Sequence, residues 1–506
     1  MSTIDAERLD KKILNREPDC CAPLGELKRS SDKTIFYQLP LPSDGLPVPY
    51  PESFTDCPFS TDSSQSMEFE ASHWSEIVRY LTDTPILTTK ELISAIKACN
   101  STYKKRNFNV LRQLMENNLT DEDKDYFFEE TLPKIIELVI QLPKLIRQPI
   151  PILKQKVNHS LYFSQQQIAS LIANAFFCTF KDKKRTSSSK LLDINLIRLY
   201  VEQERFNVHH KILKLRCILN YFRRVTRNLP KGIVSFERRF LQPDEIPKWN
   251  KSNKNLTKIV VKSDKLIEKK GKGLLQVNST YQLIGADFMN SDTRSQMIRS
   301  FLAYPELLML RLFTELMLNN ESLLIVGVEK FNRRSLRKGY YSNCVDKTQT
   351  DEWGRRYIKL LALDAKYFAW DKISNQYKKS YIDRELNKAY SGFIDRSESD
   401  PKHRCAIATG KWGCFNKRGD PQLKSLIQLL AASQAERDLM FCSLKDIKLA
   451  DELKEMKKIL IEKGLNVSQL YKILCQFDES LETEYPEKGL LFPYLTQQLS
   501  TFNANN

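Results

Sequence analysis

The sequence predicts an α/β fold with a largely buried sheet, preceded by a helical region. Three observations carry this expectation. Apolar residues recur at helical spacing between residues 75 and 230. From about residue 230, short apolar runs alternate with helical ones. Before both comes a segment rich in Pro, Ser and Asp, over residues 1–75.

In that first segment, "YQLPLPSDGLPVPYPESF" should run extended, because each Pro biases the residue before it away from helix. Within residues 76–230, "FSQQQIASLIANAFFCTF" is the best helix. Ser164 and Gln167 fit a capping box, and Ile168, Leu171, Ile172, Ala175 and Phe176 fall on one face. The basic, polar stretch "KDKKRTSSSK" follows as a solvated loop. In the second half, "SLLIVGV", "YIKLLALDA" and "DLMFCSL" read as buried strands. "PELLMLRLFTELML" and "PQLKSLIQLLAASQAE" read as helices between them. The tail over residues 481–506 gives little signal.

Composition bounds the function. The chain has 506 residues, 41% hydrophobic and 10% aromatic, enough for a sizeable core, which excludes a disordered protein. A net charge of +17 favours polyanions as partners. The 11 cysteines show no CxxC spacing, so a reducing compartment and no zinc site are expected. "MSTIDAERLDKKILNREPDCC" has no apolar core of a secretory signal, and no run of eighteen apolar residues occurs. An intracellular soluble protein is therefore expected. The five histidines lie in no nucleophile motif, which argues against Ser-His-Asp or Cys-His chemistry.

Specific motifs narrow the field. "QPIPILKQKVNHSLYFSQQQIASLIANAFFCTF" is followed by "LRCILNYFRRVTRNLPKGIVSFERR", "GKGLLQV", "PELLMLRLFTELMLNNESLLIVGVEKF" and "DEWGRRYIKLLALDA". "RELNKAYSGF", "ATGKWGC" and "GDPQLKSLIQLLAASQAERD" then complete the series. In this order, over roughly residues 34–480, they resemble the poly(ADP-ribose) glycohydrolases. The resemblance implies a macrodomain-like three-layer α/β/α domain with a helical accessory domain. It puts the accessory domain at 76–230, the macrodomain-like domain at 231–480, and an ADP-ribose site at one end of the sheet.

The family cuts the ribose–ribose glycosidic bond of poly(ADP-ribose). That bond needs a carboxylic acid to protonate the departing oxygen. The family places this acid in a Gly-Gly-Gly segment followed by Gln-Glu-Glu, where the second Glu is the acid. Counting back from Pro305-Glu306-Leu307 puts the Gln on Gln296 and the two glutamates on Met297 and Ile298. Neither side chain has a titratable proton. The three glycines become Gly285, Ala286 and Asp287, and the upstream Asp-Phe-Ala-Asn becomes Asn278, Ser279, Thr280 and Tyr281.

For the ligand, the resemblance implies contacts from Ile267 and Glu268 at the adenine end. It adds Asn278 and Gln296 as ligand-binding positions, and Tyr340 closing over the site. The family's glycine-rich diphosphate loop reads here as Phe415, Asn416, Lys417, Arg418 and Gly419, so two cations replace glycines. Lys411 stands for an Asn, and Leu444 for a stacking Phe. Lys330, Arg333, Arg334, Arg337 and Lys338 form a basic cluster near the expected mouth. Lys181, Lys183, Lys184 and Arg185 form another.

The expectation is a catalytically inactive member of the family, a reader or regulator that takes ADP-ribose, poly(ADP-ribose) or poly(ADP-ribosyl)ated proteins. It needs no cofactor and no metal, sits in nucleus or cytoplasm, does not contact membrane and has no sequence-specific nucleic-acid site. One alternative is an active hydrolase with Asp287 or Asp292 as relocated acid. Another is an interaction scaffold without ligand.

Overall fold

The computed structural model describes residues 64–146, 150–180, 191–203, 207–263, 266–289, 295–334, 341–396, 404–481 and 489–501. The Pro-rich segment, the cluster at Lys181–Arg185, Asp292, Arg337, Lys338 and Tyr340 lie outside the described residues.

The strands are β1 (His159–Ser164), β2 (Ile233–Phe240), β3 (Ile259–Lys262), β4 (Leu275–Thr280), β5 (Glu321–Gly327), β6 (Asn332–Arg334), β7 (Tyr341–Asn343), β8 (Arg356–Asp364), β9 (Ile407–Gly410) and β10 (Leu439–Cys442). Eight of them form one sheet in the order β1-β2-β5-β8-β4-β9-β10-β3. β1, β2, β5 and β8 pair antiparallel. β8, β4, β9, β10 and β3 pair parallel, and most of their residues are buried, as in a sheet covered on both sides.

Side-chain alternation along β5 divides the core. Leu323 and Ile325 face the layer that holds the N-terminal helices. Leu324 and Val326 face the layer of helices Lys379–Phe393, Pro421–Gln434 and Ile447–Glu462. The molecule therefore has three layers, helices over sheet over helices, with further N-terminal helices on one side.

Local reasons are visible for several elements. Ser164 Oγ accepts from Gln167 N at 3.1 Å, and the Gln167 amide oxygen accepts from Ser164 N at 2.9 Å, closing the capping box of helix Gln165–Phe176. Ser164→Ala should cost about 1 kcal/mol in a denaturant titration. The helix differs from its expected one-sided stripe, since its residues are buried on nearly every side. It lies between the sheet and helix Leu132–Ile140, to whose Leu138 carbonyl Ser170 donates at 2.7 Å.

Three further differences have physical causes. β1 lies within the stretch read as all helical, yet it pairs along its whole length with β2. "PELLMLRLFTELML" does not form one helix. A 3-10 turn at Pro305–Met309 and a short helix Leu310–Phe313 give way to extended chain at Thr314. The carbonyls of Glu315 and Leu316 turn to Arg238 instead, at 2.8 and 2.9 Å. The low-signal tail contains helix Leu491–Ser500, whose Leu491, Leu495 and Leu499 repeat every fourth residue into the core. Its Pro493 falls in the first turn, where a proline is tolerated.

Two buried ionic clusters tie the N-terminal layer to the sheet. Arg238 and Glu321, both fully buried, meet at 2.5 Å, and Lys156 N donates to the same carboxylate at 2.6 Å. In the second, Glu329 pairs with Arg224 and, at 2.9 Å, with Arg356, while Glu306 accepts from Gln165 at 2.7 Å and from Glu329 N at 2.7 Å.

Candidate functional site

Parallel strands end in a crevice where α/β sheets usually bind ligands. Here β4 and β9 end at a cavity of about 360 Å³. Ser279, Thr280 and Tyr281 form the β4 side, and Gly410 to Gly413 the β9 side. Leu444, just past β10, closes part of the wall. Close approach of chains sets the glycines. A Cβ at Gly410 would stand 2.6 Å from the Cys442 carbonyl oxygen, and one at Gly413, with φ of +77°, 2.5 Å from the Ala365 Cβ.

Ile267 and Glu268 both line the cavity. Glu268 is held at 3.4 Å by Arg299, a residue of helix Gln296–Ala303. Arg299 was missed in the sequence reading. Its spacing of three from Gln296 places the two on one helix face, which is a legible signal. Gln296 lines the cavity with its amide already engaged. It accepts from Ser279 N at 3.1 Å and donates to the Val277 carbonyl at 2.9 Å, clamping the helix start to β4. Asn278 is buried in β4 and is not in the cavity wall.

The positions expected for the two glutamates are apolar in structure as well as in sequence. Met297 lines the cavity, and Ile298 is packed in the core. The loop before them has turned inward. Phe288 and Met289 are buried, Phe288 lies 5.2 Å from the Phe301 ring, and Arg311 donates to the Gly285 carbonyl. Asp287 remains in the wall. Ser295 Oγ donates to one of its oxygens at 3.1 Å, and the other has no hydrogen-bond partner among the described residues. Burial pushes its carboxyl above the usual range, against the opposing bond from Ser295 and the charges of Lys214 and Arg311.

The loop expected to hold the diphosphate is divided. Phe415, Asn416 and Lys417 line the cavity; Arg418 and Gly419 do not. Lys417 stacks over the Tyr281 ring at 4.4 Å, and burial lowers its amine from the usual lysine range. Lys411 pairs with Asp446 at 3.1 Å, so that cation is already neutralised. Beneath the floor, Lys424 is buried against the Trp412 ring at 4.1 Å and paired with Glu385. Burial holds its amine well below the usual range. The sequence offers no sign of this buried lysine beyond its place in a helix read as apolar.

Chemically, the cavity can clasp a ligand between aliphatic, aromatic and cationic groups. Its carboxylates are Glu268, paired with Arg299, and Asp287. Among the described residues, no group of three or more His, Cys, Asp or Glu is placed to hold a metal ion. No helix among them is long and apolar enough to cross a membrane.

Comparison with known proteins agrees with this architecture. Residues 246–451 match the macro domain fold of poly(ADP-ribose) glycohydrolase, and residues 119–238 match its helical domain. The Arabidopsis thaliana protein "Probable poly(ADP-ribose) glycohydrolase 2" is 27% identical over 451 residues, covering 76% of this chain and 84% of that one. Poly(ADP-ribose) glycohydrolase 1 of the same plant is 26% identical over 475 residues, covering 77% and 85%. Poly(ADP-ribose) glycohydrolase 1 of Caenorhabditis elegans is 26% identical over 401 residues, covering 74% of this chain and 47% of that one. The helical domain and the macro domain are matched in chain order, and together they span more than half the sequence: the chain belongs to the poly(ADP-ribose) glycohydrolase family.

Proposed function

We propose that this chain binds ADP-ribose, free or within poly(ADP-ribose), and does not turn the polymer over at the rate of its catalytic relatives. One observation carries the reading. Where the resemblance sets the two glutamates, the cavity meets Met297 and the core takes Ile298. A missing general acid costs roughly 10²- to 10⁴-fold in rate. The cavity, with Ile267, Glu268 and Lys417 in its wall, supports retention of a ligand. The partners that follow are poly(ADP-ribosyl)ated proteins in nucleus or cytoplasm, testable by co-localisation with the polymer after its synthesis is induced.

A second reading, hydrolysis with Asp287 as acid, is favoured by its buried carboxyl in the cavity wall. Burial keeps the proton on to higher pH, as a general acid requires.

One experiment separates the two. Purified protein is titrated with ADP-ribose by calorimetry and incubated with poly(ADP-ribose), with Asp287→Asn in parallel. Binding with release at least about a hundredfold below a catalytic relative is the expected result. Release near the relative's rate that disappears in Asp287→Asn would establish the second reading. No heat of binding and no release would sink both.

A further inference from the structure

At the edge of the cavity and beyond it, the chain exposes aromatic rings beside cations. Trp370 is 63% exposed, Tyr367 48% and Phe415 62%. Arg418 lies between the first two, its guanidinium 4.5 Å from the Trp370 ring centre and 5.3 Å from that of Tyr367. It donates to the Tyr367 hydroxyl at 2.9 Å. Lys411 covers the Phe415 ring at 5.2 Å. This cluster is joined to the cavity through the backbone. Phe368 N donates to the Lys417 carbonyl at 3.2 Å, and Phe415 and Lys417 are themselves in the cavity wall.

Arg418 has a φ of +61°, in the left-handed region where a side chain is disfavoured. A glycine would sit there without strain, and the next residue is Gly419. Such strain persists where the surroundings over-determine it, and it tends to mark sites of function. The result is a guanidinium fixed at the rim, with most of an indole ring open to solvent. Planar rings stack on bases of any sequence, and a guanidinium pairs with phosphate oxygens two at a time.

We propose that Trp370, Tyr367 and Arg418 form a second nucleotide subsite, which stacks the adenine and pairs the diphosphate of the ADP-ribose unit adjoining the one in the cavity. The inference rests on the reading of the cavity as an ADP-ribose site. It makes the protein a reader of consecutive units, so that a chain binds better than a single unit. Charge complementarity supports this occupant. Each polymer unit brings two anionic phosphates and one base, and the rim offers Arg418 beside open rings, with Lys417 next to it in the cavity wall.

The test measures binding of ADP-ribose, of a short poly(ADP-ribose) oligomer of defined length, and of an oligoadenylate RNA. Wild type is compared with Trp370→Ala, Tyr367→Ala and Trp370→Phe. Trp370 stands exposed in a 3-10 turn, so its loss leaves the core intact. The expected result is that Trp370→Ala weakens oligomer binding roughly tenfold or more. ADP-ribose affinity should stay within about twofold, and Trp370→Phe should restore most of the loss. Equal affinity of wild type for oligomer and ADP-ribose would overturn the subsite, as would oligomer affinity that ignores Trp370. RNA that binds as well as the oligomer, with the same dependence on Trp370, would overturn it in favour of a single-stranded RNA surface. If the oligomer binds in a Trp370-dependent way while ADP-ribose does not bind, the subsite stands and the cavity reading fails. If nothing binds, both fail.

Discussion

Replacing Glu321 by alanine is expected to lower stability by about 3–5 kcal/mol, because it strands a fully buried guanidinium. Arg238 donates from both terminal nitrogens, to the Leu153 carbonyl at 2.9 Å, to Glu315 and Leu316, and to Glu321 itself at 2.5 Å. Glu321 also accepts from Lys156 N and Leu318 N, at 2.6 and 2.7 Å. Removing the carboxylate therefore leaves the Lys156 and Leu318 N–H groups without that acceptor, and the buried Arg238 charge with backbone carbonyls but no counter-ion. Glu321→Gln keeps one acceptor oxygen and should cost less. Urea titrations of the three proteins measure the differences. A loss below about 1 kcal/mol for Glu321→Ala would show that water or a rearranged chain reaches Arg238.

Stability should fall between about pH 4.5 and about pH 8, and Glu306 is the main cause. Burial pushes its carboxyl from 4.5 up to about 8, assisted by the neighbouring Glu329 charge and opposed by the bonds from Gln165 and Glu329 N and the charge of Arg356. In that window the folded chain keeps a proton that the unfolded chain has released. Folding is thus favoured at the acid end, and the contribution is gone above about pH 8. Across the window the change is of the order of a few kcal/mol. Glu306→Gln removes the proton and should flatten the profile, whatever it does to absolute stability. Asp287 has a raised carboxyl of the same sign, so Asp287→Asn is the control for its share. Melting temperatures at pH 5, 6.5 and 8 suffice. A slope unchanged in Glu306→Gln would assign the effect elsewhere.

The interior of the sheet was legible where a run was apolar and bounded. β5, β8 and β10 stand in "SLLIVGV", "YIKLLALDA" and "DLMFCSL", because strands covered on both faces carry little else. β1 was not legible. Its six residues run straight into a capped helix, and the cap at Ser164 is a stronger local signal than a strand whose partner lies about seventy residues away. The break after Phe313 was hidden for a related reason: the demand for free carbonyls comes from Arg238, which no local pattern reveals.

The site divides similarly. That Met297 and Ile298 bear no acid follows from residue type alone. That Gln296 spends its amide on β4, that Glu268 is paired with Arg299, and that Arg418 points to Trp370 instead of the cavity all depend on how separate segments meet. Lys417 and Arg418 read as an equivalent pair of cations in sequence. Their backbone sends them to different places, one into the cavity wall and the other, through its positive φ, out to the rim.

The pairing of β1 with β2 bears on how this protein can be taken apart. A fragment starting at residue 231 would present β2 with one hydrogen-bonding edge bare along six paired positions, from Ile233 to Arg238. Bare apolar edges recruit other strands, so such a fragment should self-associate through β2. The N-terminal fragment would in turn hold a strand with no sheet to join. Closing that edge joins segments about seventy residues apart, so β1, the first strand to be made, must wait for β2 before it has a partner.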